Sequence, residues 1–403
     1  MLADLPPPKL VQDSRGLEAL LADLDRQHEI AFDTEADSFY SYHEKVCLIQ
    51  VTAEDRDYLV DPLAGLDLSP LGRILADPRK LKVFHDGEYD ILILKRSYRF
   101  EFRNLFDTRV AAATLGSPNP GLATVLRERF QIELDKSMQR SNWADRPLSE
   151  KQIRYARLDT RFLLPLMREQ REELAARGRE RIVEGECRRL ERIVPPENAF
   201  DPDEYVRLKG ARTLGPLERQ VLRELFARRE QVASDADQPP FRIVNNETLI
   251  AIARARPRNL QDLAKIGGFS WRQSRKIGDL VLAAIERAEA LGPSSSFPVL
   301  KARDGTSDLS EAEIELHERL KTWRKDEAVR VEIDSAYLLN RHVLLRLARE
   351  RPRDFDELER IEGLLPWQVD AYGNALLDVI ERFEKDLAAG AVKPGRRRAP
   401  WRE

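Results

Sequence analysis

Apolar positions are spaced differently on the two sides of residue 195. Before it, short β-branched runs alternate with segments of helical period; after it, nearly everything has helical spacing. The runs EIAFD (29–33), VCLIQV (46–51), DYLVD (57–61) and LKVFH (81–85) read as strands from their β-branched content and alternation. Short links between the first three suit an antiparallel meander. Helical spacing follows over 87–98, 108–115 and 122–130. A long charged helical region then spans 149–193, where Arg and Glu nearly balance and the surface reads as solvated. Strands followed by helix–strand alternation predict an α/β domain with a mixed sheet over residues 1–195.

Two breaks divide the rest of the chain. Val194-Pro195-Pro196-Glu197-Asn198 stops helix, and Gly292-Pro293-Ser294-Ser295-Ser296-Phe297-Pro298 does so again. Between and beyond them the chain repeats itself: residues 245–287 align with 340–382, and the Ala-Arg-x-Arg-Pro-Arg core at 253–258 returns at 348–353, an offset of 95 residues. Each copy is a run of helices with a Pro break and a Gly-containing turn, at Gly267-Gly268 and at Gly363. The predicted organisation is therefore an α/β domain (1–195), a linker (196–212), a small all-α domain (213–291), a second linker (292–308), a second all-α domain (309–390) and a basic tail (391–403).

Composition narrows the class of protein. The 403 residues are 42% hydrophobic, as in ordinary globular chains. No stretch reaches the roughly 18 uninterrupted apolar residues of a membrane helix. The N-terminus MLADLPPPKLVQDSRG has no basic and apolar signal pattern. Cys47 and Cys187 lie far apart without metal-ligand spacing and read as reduced thiols, so a cytoplasmic location and no membrane partner are expected. The net charge of −3 sums 67 basic and 70 acidic residues and neither favours nor excludes a polyanion. Local clustering decides that, and the compact basic cluster is Lys393-Pro394-Gly395-Arg396-Arg397-Arg398 in the tail. It reads equally as a solvated end or as a segment touching RNA.

Three short motifs hold candidate chemistry. Asp33-Thr34-Glu35 ends a strand-like run, and side chains two apart on a strand share a face. Two converging carboxylates repel unless a divalent cation lies between them. His85-Asp86-Gly87-Glu88-Tyr89-Asp90 follows a strand and opens a helix, where acidic residues also serve as caps. Tyr155 and Asp159 lie four apart on one helix face. Taken singly, each motif reads as an ordinary surface or capping feature. Taken together, they place carboxylates on a first strand, after a later strand, and on a helix beyond, so that all can meet at one sheet edge. Such a site holds two divalent ions, Mg²⁺ or Mn²⁺, through hard oxygen ligands and serves phosphodiester hydrolysis.

With AFDTEADSFYSY (31–42), KVFHDGEYD (82–90) and QIRYARLD (152–159) in view, the chain resembles bacterial ribonuclease D, of the DnaQ-like (DEDDy) exonuclease superfamily. The stretch KSMQRSNW (136–143) with Arg146-Pro147-Leu148, and Phe106-Asp107-Thr108 with Ala111, are similar to the family as well. The paired repeats resemble its HRDC domains. The resemblance implies an RNase H-like exonuclease domain followed by two small all-α HRDC domains. It makes Asp33, Glu35, Asp90 and Asp159 metal ligands and Tyr155 the residue that orients the attacking water. Motif spacing selects Asp90 over Asp86 and Glu88. Asn142, and Arg157-Leu158 between the tyrosine and the last aspartate, depart from the family pattern without removing a ligand. His85 reads as a hydrogen-bonded histidine at a strand end, Asp107 as an N-cap and Trp143 as packed, while Lys136 and Arg146 suit either phosphate contacts or ion pairs.

The implied activity is 3′-to-5′ exoribonuclease action that releases nucleoside 5′-monophosphates. The implied partner is RNA with a free 3′ end, by family habit tRNA precursors and other small structured RNAs. The helical repeats, with Arg254, Arg256, Arg258, Arg346, Arg349, Arg351 and Arg353 at their edges, would guide it. Two further readings are open to the same residues: an exonuclease of the superfamily acting on DNA, and a non-catalytic RNA-binding scaffold, against which the intact carboxylates and tyrosine stand. Oligomeric state is not legible in the sequence, and a monomer is compatible with it.

Overall fold

In the computed structural model, residues 5–196, 200–294, 297–298 and 309–392 are described. The basic tail from 393, and most of the linker expected over 292–308, lie outside them. The chain packs into two units. One holds described residues of 1–36, 46–195 and 301–403; the other holds residues of 37–45 and 196–300. Among the described residues no helix is long and apolar enough to cross a membrane. Both cysteines are free and buried.

The first unit is built on a six-stranded mixed sheet of order β1-β4-β3-β2-β5-β6. Its strands are β1 (Lys9–Val11), β2 (Glu29–Ala36), β3 (Val46–Ala53), β4 (Arg56–Val60), β5 (Leu81–Phe84) and β6 (Leu105–Asp107). β2, β3 and β4 form the expected antiparallel meander. β1 adds to β4, β5 to β2 and β6 to β5, all in parallel. β3 is buried at every position, which suits a central strand covered on both faces. The charged region after 149 divides into helices Glu150–Arg161, Leu163–Arg177 and Glu180–Arg192. Gly178, at φ 62°, ends the second of these in the left-handed conformation that favours glycine. Phe32 on β2 and Phe84 on β5 stack at 6.0 Å between ring centroids and share a core with Ile30, Val83, Leu163 and Met167.

The two repeats fold alike. Helices starting at 216, 240, 246, 260 and 271 have counterparts starting at 311, 335, 341, 355 and 366, each displaced by the 95 residues seen in the sequence. Left-handed residues recur at the same offset: Asp237 and Glu332, Arg256 and Arg351, Gly268 and Gly363. Each repeat has its own apolar core.

The second repeat belongs to the first unit and packs on helices of the α/β domain. Arg179 donates to the carbonyls of Thr114 at 2.8 Å and Val331 at 2.6 Å. Arg109 meets the Tyr337 hydroxyl at 3.1 Å. Gly185 lies under Leu365 and Trp367; a Cβ there would sit 2.3 Å from Leu365 Cδ1. In the other unit, residues 37–45, which connect β2 to β3, pack with the first repeat. The Asp237 carboxylate accepts the N–H groups of Tyr42 and His43, and Arg242 lies over the Tyr40 ring.

Candidate active site

β2 alternates side chains between its faces, so Asp33 and Glu35 project together while Phe32 enters the core. Helix Glu150–Arg161 crosses this face. Its N-terminus is fixed by a capping box between Ser149 and Gln152. From there Tyr155 and Asp159 follow on one face, one turn apart. The structure brings carboxylate oxygens of Asp33, Glu35 and Asp159 within 4.8 Å of one another, all three partly exposed.

Asp90 stands beside them in a different setting. β5 ends at Phe84, and helix Glu88–Tyr98 begins after a tight connection. Asp86 takes a positive φ of 62°, and Gly87 passes so close to Phe84 that a Cβ would lie 2.6 Å from it. The Asp107 carboxylate secures this connection. It caps helix Thr108–Thr114 as expected, accepting from Arg109 and Val110, and it also accepts the N–H groups of Asp86 and Gly87. Asp90 then falls in the first helical turn, only 6% exposed, where one of its oxygens accepts both the backbone N–H and the hydroxyl of Thr34. Asp86 and Glu88 are exposed and paired with Arg109 and Arg189.

Burial and mutual repulsion shape the electrostatics. Asp33 is pushed well above the usual carboxylate range by burial, then by Asp90, Asp159 and Glu35. Glu35 is raised by burial, then by Asp159 and Asp90. Burial lifts Asp90 to about 6 against the lowering effect of Thr34. It lifts Asp159 to about 8, offset in part by the neighbouring Tyr155 hydroxyl. The Tyr155 phenol is raised by burial and by the carboxylates around it. Among the described residues, no Lys, Arg or His forms an ion pair with any of these four acids. A donor set of carboxylate oxygens, crowded and without a protein counter-charge, fits hard divalent cations.

Comparison with known proteins bears on the whole chain. A 3′-5′ exonuclease family model matches residues 8–175, and the HRDC domain model matches 218–285 and 313–380. Ribonuclease D of Zymomonas mobilis subsp. mobilis is 37% identical over 295 residues, covering 70% of this chain and 73% of that protein. Ribonuclease D of Pseudomonas paraeruginosa is 30% identical over 94% of this chain and all of that protein. The chain belongs to the ribonuclease D family. The crystal structure of Escherichia coli RNase D, described as an exoribonuclease involved in structured RNA processing, superposes with a TM-score of 0.65 at 26% identity, covering 94% of this chain and 99% of that one. As a ribonuclease D, the chain is a 3′-to-5′ exoribonuclease of a family that uses divalent metals.

Most other residues singled out in this ribonuclease D sequence have structural partners. Arg146 is bidentate to Asp61, at 2.6 and 2.7 Å, and reaches the carbonyls of Cys47 and Trp143, so it is an ion pair and not a free phosphate contact. Trp143 is buried and packs with Tyr155, the two rings 5.9 Å apart between centroids. His85 Nδ1 lies 2.9 Å from Thr108 Oγ1, and burial lowers the imidazole to about 4, so the ring is neutral at pH 7. Lys136 is exposed. Arg157, one of the departures from the family pattern, is buried and donates to Asp57 at 2.6 Å, tying the Tyr155 helix to β4.

Sequence reasoning did not assign a role to Thr34 or to the backbone-gathering side of Asp107. Thr34 had a signal in its place between two carboxylates; the Asp107 contacts depend on tertiary placement and had none.

Proposed function

We propose that Asp33, Glu35, Asp90 and Asp159 together hold two divalent cations, Mg²⁺ or Mn²⁺, and that Tyr155 orients the water that attacks the terminal phosphodiester of an RNA 3′ end. The observation that carries this reading is the meeting of three carboxylates within 4.8 Å, with Asp90 adjacent and no basic side chain paired to them. When bound, such cations supply the Lewis acidity that phosphodiester hydrolysis needs, both for the nucleophile and for the leaving oxygen.

The chain's own residues do the rest. Asp33 and Glu35 are fixed by the β2–β3 ladder, and Asp90 by Thr34, so the ligand oxygens do not have to reorganise. Burial holds Tyr155 as a phenol at neutral pH, so it acts as a hydrogen-bonding group and not as a phenolate base. Water adds to phosphorus, the bond from phosphorus to the 3′-oxygen breaks, and a nucleoside 5′-monophosphate leaves a new 3′-hydroxyl on the shortened RNA.

A cavity of about 300 Å³ beside Tyr155 has Met138, Lys151 and Arg154 on its wall, with Asp135 near the Lys151 and Arg154 side chains. Lys151 and Arg154 supply positive charge for the backbone of an approaching strand. The substrates we assign are tRNA precursors and other small structured RNAs in the cytoplasm. The HRDC repeats would guide them through exposed arginines such as Arg258 and Arg353. Others are already engaged within their domains: Arg254 with Thr213, Arg351 with Glu384 and Arg346 with Glu362.

Side-by-side digestion of matched RNA and DNA oligonucleotides with Mg²⁺ or Mn²⁺ tests the assignment. Faster release of nucleotides from RNA is expected. Faster release from DNA, or cleavage that survives full chelation of metal, would overturn it.

A further inference from the structure

β3 is apolar apart from Gln50 and Thr52. The Thr52 hydroxyl is satisfied by Asp57 at 2.9 Å and Thr160 at 2.8 Å. Gln50 is different. Its side chain is 0% exposed, and neither Oε1 nor Nε2 has a hydrogen-bond partner. A buried primary amide without partners loses its hydration and gains nothing in return, so a native fold that keeps one has a use for it.

The β2–β3 register shows where the amide stands. Gln50 is directly opposite Asp33, and Leu48 is opposite Glu35. Opposed residues of an antiparallel pair project from the same face with Cβ atoms about 5 Å apart. The register therefore puts Gln50 on the face that carries Asp33 and Glu35, opposite Asp33. Its carboxamide is also neutral at every pH, so it adds a donor without adding charge to a site crowded with acids.

We propose that Gln50 is a positioning residue for the metal site, whose Nε2–H donates to the Asp33 carboxylate when a divalent cation is bound. This inference rests on the reading of Asp33 as a cation ligand. A carboxylate that gives one oxygen to a cation leaves the other in need of a donor, and such outer contacts fix the ligand's orientation.

The test is calorimetric titration of Mn²⁺ into the metal-stripped full chain, for wild type, Gln50→Met and Asp33→Asn, with thermal unfolding and RNA kinetics on each. Met has nearly the shape of Gln and removes both polar atoms. Gln50→Met is expected to melt, without metal, at or above the wild-type temperature. It should bind Mn²⁺ about 10–100-fold more weakly, with a lower kcat and little change in KM for RNA. Weaker Mn²⁺ binding in Asp33→Asn alongside wild-type binding in Gln50→Met would overturn the role of Gln50. So would loss of the metal-free fold in Gln50→Met, because that would make the amide a folding contact. Wild-type Mn²⁺ binding in Asp33→Asn would overturn the ligand reading itself, and this inference with it.

Discussion

Asp90 and Thr34 are joined twice: the backbone N–H and the hydroxyl of Thr34 both donate to one Asp90 oxygen. The residue between the two β2 carboxylates thus holds the acid of the second motif, and two of the three motifs behave as one piece. Thr34→Val keeps the N–H contact and removes the hydroxyl. A hydrogen bond to a charged group contributes about 1.5–3 kcal/mol. A lower melting temperature and roughly tenfold weaker metal binding are expected, as for other contacts that orient a ligand. Wild-type Mn²⁺ affinity in Thr34→Val would show that Asp90 does not need this support.

Metal-free stability should fall as pH rises. Asp90 is raised to about 6 and Asp159 to about 8 in the folded chain, whereas an unfolded aspartate titrates near 3.8. The folded state therefore keeps protons that the unfolded state has lost. The stability linked to those protons is complete below the unfolded value and is lost as pH rises through 6 and then 8. Thermal unfolding of the stripped protein from pH 4 to pH 9 checks this against Asp159→Asn, whose curve should be flatter by the Asp159 contribution. Identical slopes would contradict the crowding described for the site.

Tyr155→Phe separates water orientation from metal binding. The ring keeps its packing on Trp143 and loses only the hydroxyl. Turnover should drop about 10²-fold or more, in the range of positioned proton-handling groups, with Mn²⁺ affinity nearly unchanged. Equal loss of metal in this variant would assign the hydroxyl to the metal site instead.

Gly185 tests the packing of the second repeat on the exonuclease domain. A Val side chain there must displace Leu365, at a cost of about 1–3 kcal/mol for overpacking. A lower melting temperature is expected, with unchanged kcat per folded molecule on a short single-stranded RNA. An unchanged melting temperature would mean that the contact gives way at no cost.

Much of this was legible in the sequence. The meander followed from short links between alternating strands, and the 95-residue repeat passed directly into two sets of helices at the same offset. Asp33 and Glu35 share a face because strand period is two, and Tyr155 and Asp159 share one because helix period is close to four. β1 and β6 were not legible. Each is three residues long, too short for a periodic signal, and exists because a neighbouring strand edge accepts it. The packing of 37–45 with the first repeat was likewise hidden, since Asp237 and Arg242 lie some 200 residues away in sequence. Gln50 was visible as a polar residue in an apolar strand, but only the register opposite Asp33 gives it a meaning.

The central claim is that this chain shortens RNA from its 3′ end through the carboxylate site around Asp33. The most direct measurement is digestion of a 5′-labelled tRNA with a 3′ extension, read at single-nucleotide resolution, with Mg²⁺, with Mn²⁺ and with chelator, for wild type and Asp33→Asn. The account predicts a ladder receding one nucleotide at a time from the 3′ end, release of nucleoside 5′-monophosphates, a strict need for the cation, and no ladder from Asp33→Asn. Internal cuts, release that persists in chelator, or equal turnover by Asp33→Asn would contradict it.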